Sequence, residues 1–323
     1  PLDSSLVGQL MIAKYAFLTT SRGLEIIVLL SFIFGKITTA WLIWDMIAYL
    51  LVNIVFYKLL LKIFHSSKTA FIGALFFATN YSLLIFGLTY FMDVGGWLFY
   101  CLSIYFLYLY IESNTKRDLY LASLSISVGS LMKENAPFAY IPLFIIILYE
   151  NRYSLLNFIK KITPPSIVAL TPMFLQHLTI YFFYDFSYWQ FFQMNRSTYL
   201  YSSRMIEYIK NFGSLLNIFA PIAIAGLFVL LKSWENKLYE EFGMNTKKLV
   251  FIASVLASSI PAVMWPGITQ RVLFMVVPGL IILSGFLIKR YEKYWYIFII
   301  PVVLYTLSSF FMNSILNFVN LPF

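Results

Sequence analysis

The sequence predicts an all-α, polytopic membrane protein built as a transmembrane helix bundle of about ten spans. Of its 323 residues, 61% are hydrophobic and only 11% are charged, whereas soluble domains carry roughly 25% charged residues. Apolar runs recur along the chain at about 18 to 25 residues, the length that crosses a bilayer as a helix. Its single cysteine, Cys101, excludes a disulfide within the chain.

Ten apolar runs define the predicted spans. The fourth and fifth are short, and a single kinked helix with Lys133 and Glu134 at its middle is the alternative. Lys and Arg accumulate in cytoplasmic loops, and only the ten-span topology places most of the 23 basic residues on one side. The runs lie at 37–61, 69–87, 94–111, 119–132, 137–149, 165–184, 213–231, 249–265, 271–288 and 295–312.

This topology divides the chain into an interfacial segment, residues 1–36, and a transmembrane domain, residues 37–323. The loop 185–212 is predicted on the outer face, and the loop 232–248 in the cytoplasm. Within the first segment, 5–20 and 24–34 are too short to cross and are expected to be interfacial helices on the outer surface. An outer N-terminus is unusual in an unprocessed polytopic protein, so we expect a further span before Pro1.

The net charge of +9 follows from this topology rather than from nucleic-acid binding, which needs a basic surface facing the phosphate backbone. We therefore expect a multi-pass protein of the plasma membrane that binds no nucleic acid.

Ionisable groups at membrane depth are costly and are functional hypotheses by default. Asp93 lies between the second and third spans, followed by Gly95 and Gly96, which permit a close approach of the backbone. Two interpretations stay open. The carboxylate caps the third span, or it faces an external cavity where it binds a metal or positions a substrate.

Lys133 and Glu134 lie where the fourth span ends. The simpler interpretation is an ion pair between neighbours at the membrane interface. Pro137 follows, however, so a helix break is predicted here, and broken helices at membrane depth line cavities. A fixed ammonium in such a cavity suits a phosphate, so we interpret Lys133 as phosphate-binding and Glu134 as its support.

Three arginines on the same predicted face, Arg196, Arg204 and Arg271, join this phosphate-binding group. Basic residues at such a surface also attract anionic headgroups without a specific role, and that interpretation remains open.

Three segments, FGKITTAWLIWDMIAYLLVNIVFYKLLLKIF, SSKTAFIGALFFATNYSLLIFGLTYFMDVGGWLFYCLSIYFLYLY and LYLASLSISVGSLMKENAPFAYIP, resemble the core of GT-C glycosyltransferases. More narrowly, they resemble the dolichyl-phosphate-mannose-protein mannosyltransferase and aminoarabinose-transferase group. In that group an outer-loop acid precedes a span, as Asp93 does, and a Lys ends a small-residue-rich span, as Lys133 does. In that group a basic residue also precedes an apolar span with an internal proline. The stretch ITQRVLFMVVPGL resembles this pattern and implicates Arg271. The resemblance covers roughly residues 30–150 and 265–290.

The resemblance implies a membrane enzyme that transfers a sugar from a polyprenyl-phosphate donor to an acceptor on the outer face. Asp3 and Asp93 would be its catalytic acids, with Asp3 as the base on the acceptor hydroxyl. Fixed cations, or a divalent metal held by Asp93, would stabilise the leaving phosphate. The family's catalytic acid follows a first span that is missing here, and Asp3 is the candidate in the remaining stretch. Membrane lipids and a membrane protein complex are the expected partners.

Two alternatives remain at this stage. One is a non-catalytic membrane subunit that keeps a GT-C-like fold without the chemistry. The other is a transporter, which proline-broken spans would suit, although the internal repeat typical of transporters is missing from the sequence.

Overall fold

A computed structural model describes the chain over residues 23–88, 92–199, 204–235, 242–264 and 270–312. Within these ranges the secondary structure is helical and contains no strand, so the predicted all-α class is confirmed. The α-helices are α1 Gly23–Phe34, α2 Ile37–Phe64, α3 Ser67–Ala78, α4 Tyr81–Gly87, α5 Asp93–Ser113, α6 Lys116–Met132, α7 Tyr140–Glu150, α8 Leu155–Tyr184, α9 Tyr188–Tyr199, α10 Arg204–Leu216, α11 Phe219–Glu235, α12 Thr246–Ala257, α13 Ile260–Met264, α14 Gln270–Leu273, α15 Val277–Arg290 and α16 Ile299–Phe310. Short 3₁₀ helices cover Ala136–Ala139, Phe274–Val276 and Glu292–Phe298.

Over its described residues, every predicted apolar run is mostly helical, but the number of spans is lower than the ten predicted. Among the described residues, six helical segments are long and apolar enough to cross a membrane, or eight if each bent pair is one span. The fourth and fifth predicted spans fall short, because α6 has 17 residues and α7 has 11. Three charged residues occupy the first turn of α6, and the chain breaks again directly after this helix.

The second predicted span is bent by 55° between α3 and α4. Asn80 lies at the bend, fully buried. Its Oδ1 accepts from the Ser82 amide at 3.0 Å, and its Nδ2 donates to the Tyr305 hydroxyl at 2.6 Å and to the Leu215 carbonyl at 3.2 Å. The buried amide is therefore satisfied by its partners, which fix the bend against α10 and α16.

The centre of the bundle is formed by α5 and by the segment Gln270–Arg290, each 72% buried in its most apolar stretch. In α8, by contrast, only 17% of the most apolar stretch is buried. Its exposed apolar side chains suit contact with lipid. The rings of Trp97 and Phe274 lie 4.1 Å apart between the two central segments. This aromatic contact holds the beginning of α5 beside the beginning of α15.

The predicted outer surface contains more helix than the sequence analysis assigned to it. The segment 185–212 is not simply a loop, since it contains α9 and most of α10. The predicted interfacial helix at 24–34 is present as α1, an apolar helix too short to span a membrane. The other predicted interfacial helix, at 5–20, lies outside the described residues.

Candidate functional site

Asp93 and Arg271 form an ion pair where α5 begins. Asp93 is the first residue of α5, and its side chain is 2% exposed. Its Oδ2 accepts hydrogen bonds from Nε of Arg271 at 3.1 Å and from Nη2 at 2.6 Å. Charge-assisted contacts of this kind are roughly twice as strong as neutral hydrogen bonds. The Arg271 side chain remains 30% exposed, so the buried carboxylate orients a guanidinium that an anion can still reach.

The capping interpretation of Asp93 does not describe this arrangement. Met92 occupies the N-cap position of α5, and the Asp93 carboxylate bonds to a side chain from another helix. That helix, α14, is itself held by α4, because Ser82 Oγ donates to the Gln270 carbonyl at 2.9 Å. The guanidinium carbon of Arg271 also lies 5.6 Å from the centre of the Phe86 ring, a distance typical of a cation–π contact.

The predicted helix break at Lys133 is confirmed. Helix α6 ends at Met132, and Lys133 has extended backbone angles, φ −157° and ψ 140°. The 3₁₀ turn that contains Pro137 follows directly. Lys133 Nζ lies 3.0 Å from Glu134 Oε1, with the two side chains 13% and 30% exposed. The neighbours therefore do pair, and they do so within a break rather than along a continuous helix.

The break packs directly against the first turn of α5. A β-carbon at Gly96 would lie 2.5 Å from Asn135 Oδ1 and 2.6 Å from Cβ of Lys133. The absence of a side chain at this position is what allows the contact. The Lys133 break is therefore packed against α5 one helical turn beyond Asp93.

A cavity of about 500 Å³ adjoins the break. Oε2 of Glu134 is buried at its edge and has no hydrogen-bond partner among the described residues. The His177 and Tyr188 rings lie 5.1 Å apart, and burial, with a contribution from the Glu134 charge, raises the pKa of the Tyr188 phenol, which therefore stays neutral. The cavity is lined by Ser130, Glu134, Pro137, Phe138, Leu170, Met173, Phe174, His177 and Tyr188.

Sequence reasoning missed His177, Tyr188 and Asn135. His177 lies inside the sixth apolar run, so its ionisable ring at membrane depth was the available signal. Tyr188 carries no comparable signal, because aromatic residues are expected at span ends. Asn135 extends the polar run begun by Lys133 and Glu134, and its burial became apparent only from the packing against Gly96.

Three other predicted site residues are not placed by the structure. Asp3 lies outside the described residues. Arg196 and Arg204 lie on α9 and at the start of α10, and their side chains are not described. Their catalytic and phosphate-binding roles stay predictions.

The described side chains around Asp93 gather no donor set for the predicted divalent metal. In the described part of the chain, no three His, Cys, Asp or Glu side chains gather as a metal site would require. Hard divalent cations take several oxygen ligands, and Oδ2 of Asp93 already bonds twice to Arg271. The metal-binding role of Asp93 stays a prediction, and no chemical step below depends on it.

A helical multi-pass bundle that packs a Lys-bearing break, with an apolar cavity beside it, against the helix that carries an Arg–carboxylate pair is consistent with a membrane glycosyltransferase of the GT-C type. Residues 25–180 match the family described as dolichyl-phosphate-mannose-protein mannosyltransferase. The match covers slightly less than half of the chain and includes Asp93, Lys133 and Glu134, whereas Arg271 lies beyond it. It confirms the resemblance drawn from the sequence. No curated protein and no solved structure matches the chain significantly.

Proposed function

We propose that the protein transfers a sugar from a polyprenyl-phosphate donor to an acceptor on the outer face of the plasma membrane. The observation that carries this proposal is that α5 holds the Asp93–Arg271 pair and, one helical turn later at Gly96, packs against the break at Lys133, whose neighbour Glu134 lines an apolar cavity. The family match supports the class of reaction.

Arg271 and Lys133 act on the phosphate. The reaction breaks the bond between the anomeric carbon of the sugar and a phosphate oxygen of the donor. The phosphate is a singly charged diester in the donor and gains a second negative charge as it leaves as a monoester. Fixed positive charge where this new charge develops lowers the barrier. Asp93 is then a positioning residue, because it holds the guanidinium without touching the substrate.

Glu134 lines the cavity, and its carboxylate is the base that acts on the acceptor. The acceptor hydroxyl forms the new bond to the anomeric carbon and must lose its proton to a base. Oε1 of Glu134 is held by Lys133, while Oε2 has no partner in the described residues and lies at the cavity. Asp3 remains the alternative base.

The cavity walls suit the hydrocarbon part of the donor. Phe138, Leu170 and Phe174 line it, and the Phe174 side chain is 62% exposed on the surface of α8. The cavity therefore extends from the charged break to a lipid-facing helix surface. A polyprenyl chain that enters this cavity from the bilayer would bring its phosphate to the Lys133–Glu134 break.

Donor turnover by the purified full-length protein tests the proposal. With a radiolabelled polyprenyl-phosphate sugar in nanodiscs, we expect transfer to acceptor or slow release of sugar to water. Lys133→Ala should lower kcat by roughly 10²- to 10³-fold, as the loss of one charge-stabilising donor does elsewhere. Lys58→Ala, an exposed lysine on α2, is the control and should leave kcat unchanged. If no donor is consumed by the wild type, the non-catalytic subunit becomes the better interpretation.

Glu134→Gln distinguishes the two candidate bases. The amide keeps the shape of the side chain and removes its basicity, so kcat should fall by roughly 10²- to 10⁴-fold. Asp185→Asn, an exposed carboxylate at the end of α8, should leave kcat unchanged. A wild-type kcat in Glu134→Gln would assign the base to another residue.

A further inference from the structure

A second pocket, of about 430 Å³, lies at the end of α5 opposite to Asp93. Helix α5 has 21 residues, so its two ends are about 31 Å apart at 1.5 Å per residue. The pocket lies between α6, α8 and the turns that precede them. It is lined by three lysines, Lys116, Lys160 and Lys161, and by three asparagines, Asn114, Asn151 and Asn157.

The pocket carries an excess of positive charge. Lys116 and Lys160 are exposed and form no ion pair in the described part of the chain. Lys161 donates to Glu150 at 2.7 Å, but Glu150 also pairs with Lys247, so two lysines share one carboxylate. Repulsion among ammonium groups around a common space is relieved when an anion occupies it.

The other nearby carboxylate does not compensate these lysines. Asp118 accepts hydrogen bonds from Ser113 at 2.9 Å and from Thr115 at 2.5 Å, and it pairs with Arg117 at 3.3 Å. Its side chain is 5% exposed, and it is not among the residues that line the pocket. The charge presented to the pocket is therefore that of the lysines.

The surface beside the pocket is apolar. Tyr120 and Leu124 on α6 are 41% and 50% exposed, and Ile159 and Ile167 on α8 are 47% and 59% exposed. These side chains continue from the level of the pocket along two neighbouring helices toward the membrane interior. An anion that carries hydrocarbon chains meets both surfaces, whereas a free phosphate meets only the lysines.

We propose that this pocket binds the phosphate headgroup of an anionic phospholipid, with the acyl chains lying on the exposed faces of α6 and α8. On the predicted topology this end faces the cytoplasm, where anionic lipids concentrate and basic pockets between helices bind their headgroups. Prolines 164 and 165 in the pocket wall also leave the carbonyl groups of Lys160 and Lys161 without their helical donors. A hydroxyl-bearing headgroup such as glycerol can donate to such oxygens. The site is independent of the proposed sugar transfer.

The test uses the full-length protein in phosphatidylcholine nanodiscs titrated with phosphatidylglycerol, with lipid retention followed by native mass spectrometry. The double variant Lys116→Gln/Lys160→Gln should lose affinity for phosphatidylglycerol by about 30-fold, since each basic residue near an anionic lipid contributes about fivefold in affinity. Lys58→Gln/Lys232→Gln removes two exposed lysines that do not line the pocket and should bind as the wild type does.

Two further measurements, with soluble phosphates in place of the lipid, decide whether the pocket binds a lipid headgroup or a free phosphate. Glycerol phosphate and inorganic phosphate should stabilise the protein far less than the lipid does, because they lack the chains. Equal binding of inorganic phosphate and phosphatidylglycerol would overturn the lipid assignment. Equal retention of phosphatidylglycerol by the pocket variant and the control would overturn the site itself. If the double variant does not fold, the single variant Lys160→Gln, at an exposed side chain, replaces it in the same measurement.

Discussion

Arg271→Ala should abolish measurable sugar transfer and also destabilise the protein. The variant removes a positive charge from the leaving phosphate, which alone lowers kcat by roughly 10²- to 10³-fold. It also leaves the Asp93 carboxylate, 2% exposed, without its ion-pair partner. Breaking a buried pair by removing one member typically costs about 3–5 kcal/mol. Steady-state kinetics and thermal unfolding in the same detergent measure the two effects.

A second variant separates the catalytic role of Arg271 from its structural role. Arg271→Ala combined with Asp93→Asn removes the uncompensated buried charge, so it should regain much of the lost stability. Transfer should remain absent, because no guanidinium faces the phosphate. Recovery of transfer in the double variant would show that Arg271 serves only to neutralise Asp93. Arg271→Lys keeps the charge but not the two-point contact, so intermediate activity is expected.

Gly96→Ala should separate the two halves of the site. Its β-carbon would lie 2.5 Å from Asn135 Oδ1 and 2.6 Å from Cβ of Lys133, closer than non-bonded atoms approach. The break at Lys133 must therefore move away from α5. A misplacement of about 1 Å in a reacting group costs about 10²-fold in rate, and overpacking of this kind costs about 1–3 kcal/mol in stability.

Gly213→Ala is the matched control for this variant. Gly213 also lies in a helix, α10, and no heavy atom lies within 4 Å of the β-carbon that alanine would add. Alanine is favoured over glycine in helices by about 1 kcal/mol. The unfolding temperature should therefore rise or stay unchanged, and kcat should be preserved. If both alanine variants behave alike, the close approach at Gly96 is not what builds the site.

Local pattern was enough to predict the elements of the site but not the contact between them. Pro137 predicted the helix break at Lys133, and the glycines after Asp93 predicted that another segment approaches the backbone of α5 closely. Both effects depend on the backbone of a few neighbouring residues. Which basic residue reaches Asp93 is decided by tertiary packing. The residues themselves gave Arg196, Arg204 and Arg271 the same predicted role, and the family resemblance implicated Arg271 without naming its partner. The structure brings Arg271 to Asp93 from 178 residues away.

Hydrophobic length overestimated the number of spans for a related reason. An apolar run shows that a segment prefers lipid, but not that the helix stays straight. The run at 69–87 bends at Asn80, and the cost of burying this amide is met by Tyr305 and by the Leu215 carbonyl. Those partners come from distant segments, so the bend was not visible in the sequence around Asn80.

The long sequence separation of Asp93 and Arg271 also has a consequence for biosynthesis. Translation proceeds at about 5 to 20 residues per second, so Asp93 emerges from the ribosome roughly 9 to 36 seconds before its partner. During that interval the carboxylate must stay in contact with water or other polar groups, since an unpaired charge cannot be buried cheaply. The beginning of α5 can therefore take its final position only after the helix that carries Arg271 has inserted. Completion of the proposed active site is therefore a late step of membrane assembly, with the candidate span Glu292–Phe310 still to insert.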